Sequence, residues 1–71
     1  MAYTVRAGDK TLHFTKKEKA QWYAAGWRAA KSGKLRSANP HRPRSEEWHT
    51  WNDGYDDSKD WQREQKPKAK K

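Results

Sequence analysis

The chain has no cysteine, which removes disulfides and thiolate metal sites, and its three histidines cannot by themselves close a tetrahedral zinc site. It has no long apolar run either. The longest uncharged, ring-rich stretch is Gln21 to Trp27, far short of the ~20 apolar residues a membrane span needs. Met1 to Phe14 lacks the apolar stretch of a signal peptide, so a soluble, cytoplasmic chain is expected. Apolar residues are scarce as well, at 31% against 37% charged, a balance near that of disordered chains. What offsets the shortage is aromatic: five Trp, three Tyr and one Phe in 71 residues. A chain this short buries only about 60% of the surface its unfolded form exposes. With no covalent or metal staple, it must hold one small domain, 1–65, by ring packing or by dimerising.

Charge is uneven along the chain, and the pattern says more than the formal net of +8. Lys16 to Arg44 carries nine basic residues against Glu18 alone, whereas Ser45 to Gln62 carries six acids against Lys59 alone. A field of this strength attracts polyanions and speeds encounter with them. Keeping an aromatic-rich chain soluble is the other use such charge has. The basic density from Lys16 to Arg44 favours a polyanionic partner.

The order of elements follows from local pattern. Tyr3 to Phe14 alternates apolar and polar residues on both sides of Gly8-Asp9, which predicts a β-hairpin over 2–14 that must lie on another surface. Thr15-Lys-Lys-Glu18 has the form of a capping box and predicts a helix over 16–32, stopped by Gly33. Ala20, Tyr23 or Ala24, Trp27 and Ala30 give its buried face. A basic loop with two prolines, 34–44, follows. Ser45 with Glu46 and Glu47 opens a second helix, 46–64, by a cap hydroxyl and by carboxylates at the positive end of the helix dipole. Trp48, Trp51, Tyr55 and Ser58 form its inward stripe; Asn52, Asp53, Asp56, Asp57 and Asp60 form its other face. The fold class is mainly α with a small β element: a two-helix antiparallel hairpin, an N-terminal β-hairpin and a disordered basic tail over 66–71.

Gly26 and Gly54 stand inside these helices, where each costs about 1 kcal/mol relative to Ala. Each has a small residue four positions on, Ala30 and Ser58, and this spacing lets two helix backbones approach closely. A kink or local loss of helix near Asp53-Gly54 is the other explanation.

Tyr23-Ala-Ala-Gly-Trp-Arg-Ala-Ala-Lys-Ser-Gly33, then Asn39-Pro40-His41, then Trp51-Asn-Asp-Gly54-Tyr55, resembles the ribosome modulation factor family. Gly26, Trp27, Ala29 and Gly33 match its run on helix 1. Pro40 stands in place with His41 where the family has a tyrosine, and Trp51, Gly54 and Tyr55 match its signature on helix 2. The resemblance covers roughly Ala20 to Ser58. It implies two helices joined by a loop, binding to the small ribosomal subunit near the messenger channel, and inactivation of ribosomes by favouring their dimerisation. This chain departs from the family in an acidic helix 2, an added N-terminal hairpin and a lysine-rich tail, as a phage-encoded or mobile-element relative with a changed target would.

RNA recognition needs cations for phosphates and rings for unstacked bases. Lys16, Lys17, Lys19, Arg28, Lys31, Lys34, Arg36, Arg42 and Arg44 supply the first, with His41 beside them in the loop. Trp22 lies off the buried face of helix 1, either to stack on a base or partner or to pack beneath the hairpin. Trp61 is off the stripe of helix 2. Catalysis finds little support: Glu46-Glu47 and Asp56-Asp57 are adjacent and point apart on a helix, and no nucleophile stands near a base. His49 and Asp53 share a helical face, yet two ligands make a weak metal site. No cofactor is expected. The chain therefore reads as a binding protein for rRNA or the ribosome, with a protein-binding inhibitor or adaptor acting on a host protein through acidic helix 2 or the aromatic hairpin as the alternative, and duplex DNA binding as a third class.

Overall fold

Alternation of side chains about a glycine turn makes the first element, and the computed structural model, which describes residues 3–65, has an antiparallel hairpin of β1 (Tyr3–Ala7) and β2 (Lys10–Phe14). The register pairs Tyr3 with Phe14, Val5 with Leu12 and Ala7 with Lys10. Gly8 has φ 68, in the left-handed region that a two-residue loop demands at this position. A Cβ there would also collide with the ring of Trp61, so the turn rests directly on that indole. Val5, Leu12, Phe14 and Trp61, all half-buried, pack on the buried Ala7, Tyr23 and Trp27, which is the surface the ribbon needs. Residue 2 and the expected basic tail, 66–71, lie outside the described residues.

The first helix, α1, spans Lys17–Lys31. The expected Thr15 capping box does not form: the N-cap is Lys16, still extended at φ −115 and ψ 134, with no side-chain cap bond. The chain bends at Thr15 and Lys16 after β2, so the helix starts one residue later than the capping box requires and Thr15 is not at the cap position. The C-terminus ends as Gly33 predicts. With Gly33 at φ 81, its N–H donates to the Ala30 carbonyl at 3.1 Å and the Lys34 N–H donates to the Ala29 carbonyl at 3.0 Å, the paired bonds of a Schellman stop.

The second helix, α2, spans Glu46–Gln65 and opens on the predicted cap, with the Trp48 N–H donating to Ser45 Oγ at 3.2 Å. Among the described residues no helix is long and apolar enough to cross a membrane.

The helices cross where the two glycines stand. A Cβ on Gly26 would collide with the Trp51 carbonyl oxygen, and one on Gly54 with the Tyr23 carbonyl oxygen. Backbone meets backbone at both points, so α2 runs unbroken through Gly54 and the glycines are there for close approach. Around the crossing, Trp51 and Tyr55 stack with ring centroids 5.5 Å apart against Ala29 and Ala30, and Ser58 is fully buried. Lys19, early in α1, pairs with Glu46 at the start of α2, while Lys31, at the end of α1, lies over the Trp61 ring late in α2. The connection between the helices therefore brings the chain back along α1 before α2 begins.

Two placements on α2 differ from expectation. Trp48 is half-buried and outside the core: it lies in the first turn, away from the crossing, with its ring edge-on to His49 at 4.9 Å. Asn52 belongs to the interior at 3% exposed, because the returning loop covers that side of the helix.

Candidate nucleic-acid interface

A proline-containing segment with no periodicity has few ways to become ordered except by side-chain clamps, and this loop has four. Asn39 Nδ2 donates both to the Trp48 carbonyl at 3.1 Å and to Asn52 Oδ1 at 3.0 Å, while the His41 N–H donates to Asn39 Oδ1 at 2.9 Å. Tyr55 Oη donates to the Lys34 carbonyl at 2.6 Å. Arg36, in a short 3₁₀ turn over Arg36–Ala38, makes a two-pronged contact with Asp56 at 3.0 and 3.1 Å. The side chain of Ser45 donates to the Arg42 carbonyl at 2.6 Å and closes the loop onto α2.

The basic residues expected to contact RNA divide into two groups. Lys19 and Arg36 are engaged by Glu46 and Asp56, so both tie elements together. Their partners raise the Arg36 pKa, chiefly through the hydrogen bonds to Asp56, and lower that of Glu46, chiefly through the hydrogen bond from Lys19. Arg36 thereby ties the loop to α2 through an exposed two-pronged contact. Lys16, Lys17, Arg28, Lys31, Lys34, Arg42 and Arg44 are exposed, and none makes a salt bridge among the described residues. Lys17 and Arg28 flank the exposed side of α1 beside Tyr3 and Val5. Arg44 has φ 72, a left-handed conformation that costs a residue with a Cβ about 1 kcal/mol or more, so an arginine stands where glycine fits better.

Trp22 does not pack under the hairpin. It is half-buried and meets His41 edge-on, with centroids 6.1 Å apart, so helix and loop join in a pair of rings on the basic side. Trp61 takes the place beneath the hairpin, 5.8 Å from Trp27. Its position on α2 follows Tyr55 by six residues, off the stripe that faces α1, and only the docking of the hairpin gives it a partner.

The opposite side of the molecule is acidic. Asp53, Asp57, Asp60 and Glu64 follow one another along α2 and line two adjoining hollows against Leu12, Phe14 and Tyr23. Tyr23 Oη donates to Asp57 at 2.5 Å. Burial first, then that bond and the nearby carboxylates, push the phenol pKa well above its usual range. Partial burial and the neighbouring Asp57 and Asp56 raise the Asp53 carboxyl. Among the described residues no group of three His, Asp or Glu side chains is placed to hold a metal, and no third ligand joins His49 and Asp53.

Two residues central to this arrangement carry no advance signal in the chain. Asn39 looks like ordinary turn chemistry before Pro40, and Asn52 sits among acids; only their mutual bond gives them a role. Asn52 Nδ2 is buried without a protein acceptor among the described residues. Searches against family models, characterised proteins and solved structures find no match to this chain.

Proposed function

We propose that the chain is a cytoplasmic, non-enzymatic RNA-binding protein that attaches to rRNA of the small ribosomal subunit and modulates translation. The observation that carries this is the sorting of charge: seven exposed cations from Lys16 to Arg44 make no salt bridge among the described residues, in the same segment as the Trp22 and His41 rings, while Asp53, Asp57, Asp60 and Glu64 line the hollows on α2 and Glu46 and Asp56 are tied to Lys19 and Arg36. Cations left unpaired in the free protein are available to replace phosphate counterions. The resemblance to the ribosome modulation factor family supports the same reading, since its matched residues Gly26, Gly33, Trp51, Gly54 and Tyr55 are the ones that build the crossing and end α1. The acidic α2 fits it too, because the acids on its far side repel RNA and orient the protein.

Binding of the full chain to isolated small subunits, titrated with salt, tests the proposal. Affinity falls steeply and linearly on logarithmic axes, and Arg42→Gln with Arg44→Gln lowers the slope by about 1 or more. Asp53→Asn with Asp60→Asn leaves affinity unchanged or raises it. Loss of binding on removing the acids, with the arginines dispensable, would overturn the proposal in favour of a protein target.

The hollow lined by Leu12, Phe14, Asp53 and Asp57 favours one second reading, an inhibitor or adaptor that receives a basic surface of a host protein. Pull-down from a bacterial lysate separates the two: nuclease treatment abolishes capture in the first case and leaves it intact in the second.

A further inference from the structure

A groove runs between α1 and the returning loop, and its makeup differs from that of the acidic hollows along α2. Ala25 and Ala29 form one wall, Ala38 and Pro40 the other, and the buried Trp51 closes the floor. Arg28 and Lys34 stand at its rim with no carboxylate among the lining residues, whereas the hollows on the other side hold Asp53, Asp57, Asp60 and Glu64. Its volume is about 410 Å³.

Helical geometry extends the groove to the ring pair. Trp22, Ala25, Ala29 and Ser32 are spaced three, four and three residues apart and so share one face of α1. The loop passes that face in the opposite order, Lys34 at the far end and then Ala38, Pro40 and His41, the last against Trp22. At 1.5 Å per residue, Trp22 lies ~9 Å along the helix axis from Arg28. The result is a channel with rings at one end, small side chains in the middle and two cations at the other. The alanines keep the walls low enough for a nucleic-acid backbone to approach. The loop wall is fixed in advance, by Asn39 on α2 and by Tyr55 on the Lys34 carbonyl, so binding need not order it.

We infer that this groove is a subsite for single-stranded RNA, with a base stacked at Trp22 and His41 and two phosphates further along the strand held by Arg28 and Lys34. The inference rests on the basic face being the RNA-binding face and specifies the form of RNA taken there. A duplex keeps its bases stacked inside and offers nothing to the ring pair, whereas an unpaired strand presents ring faces and phosphates together.

The test measures binding of the full chain to a short unstructured oligouridine and to a blunt RNA duplex of equal length, by fluorescence anisotropy across a salt series. The single strand binds more tightly than the duplex. Trp22→Ala weakens single-strand binding by on the order of tenfold, as loss of one base–ring stack does, and leaves duplex binding unchanged. Trp22→Phe restores most of it, and Trp22→Leu, which fills space without a ring, does not; this pair decides the matter if the alanine variant folds poorly. Arg28→Gln with Lys34→Gln reduces the salt slope for oligouridine by about 1.4, two phosphates at ~0.7 each. Equal affinity for strand and duplex, or a Trp22→Ala effect alike on both or absent from both, overturns the groove while leaving a salt-dependent basic face standing. Absence of binding to either RNA, with small subunits also unbound, overturns both.

Discussion

The two sides of this small domain are built from the same pair of helices and have opposite character. On one, α1 and the loop present cations that make no salt bridge among the described residues; on the other, α2 presents acids beside β2, one of which accepts the Tyr23 hydroxyl. The difference is maintained by a few ties that cross between the halves, Lys19 to Glu46 and Arg36 to Asp56, which neutralise charge where the two surfaces meet. Both ties are exposed and screened by solvent, so each contributes little to stability. Their work is positional. What holds the halves together is the glycine crossing and the rings around it.

The largest break in this comparison comes at that crossing. Gly54→Leu sets a branched side chain against the Tyr23 carbonyl, which is helix backbone and has no room to yield, and the fold loses about 3 kcal/mol or more. A urea melt reads the loss, and both sides fail together. Gly26→Leu does the same through Trp51. Equal stability of either variant to the parent would mean the helices do not meet at these residues.

Asn39→Ala separates the sides. It leaves the Trp48 carbonyl and Asn52 Oδ1, both partly or wholly buried, without their donor, at a cost of about 1 to 3 kcal/mol. The loop then becomes susceptible to limited proteolysis after its arginines and RNA affinity drops, while the hairpin and the acidic side keep their amide protection.

Alkaline pH acts on the acidic side. Because the folded-state Tyr23 phenol pKa is raised above its unfolded value, the folded state retains a proton that the unfolded state gives up near pH 10. The contribution of Tyr23 is complete below about pH 10 and is lost as pH rises above that. Tyr23→Phe flattens this limb of the stability profile, with the sign of the remaining slope unchanged elsewhere. The smallest effect belongs to Asp53. Its carboxyl pKa is raised in the fold, so ionising it at neutral pH disfavours the folded state, and Asp53→Asn gives a slight rise in Tm at pH 7 that vanishes below about pH 4.

The glycine spacing, the Gly33 stop, the Ser45 cap and the alternation about Gly8 were all legible in the chain, since each is a local rule about which backbone angle or periodicity a residue allows. Trp22, Trp48 and Trp61 were not. Each is a large ring near the edge of a helical stripe, and periodicity alone assigns such a ring to either side. Trp61 is drawn in by the hairpin, Trp48 is left in the opening turn under the loop, and Trp22 meets His41. Arg36 shows the same limit for charge: the count of nine basic residues is a property of composition, but which of them are consumed internally depends on Asp56 lying opposite in space.

Sequence by itself determined the elements, their order and the division of charge into a basic and an acidic stretch, because periodicity, capping and ionisation act over a few neighbouring residues. Tertiary structure alone decided that the loop is ordered, that Asn39 and Asn52 join it to α2, and that Arg28 and Lys34 stand at a groove with no salt bridge among the described residues. Those outcomes depend on contacts between residues far apart in the chain, such as Trp22 with His41 and Arg36 with Asp56, which no local pattern encodes.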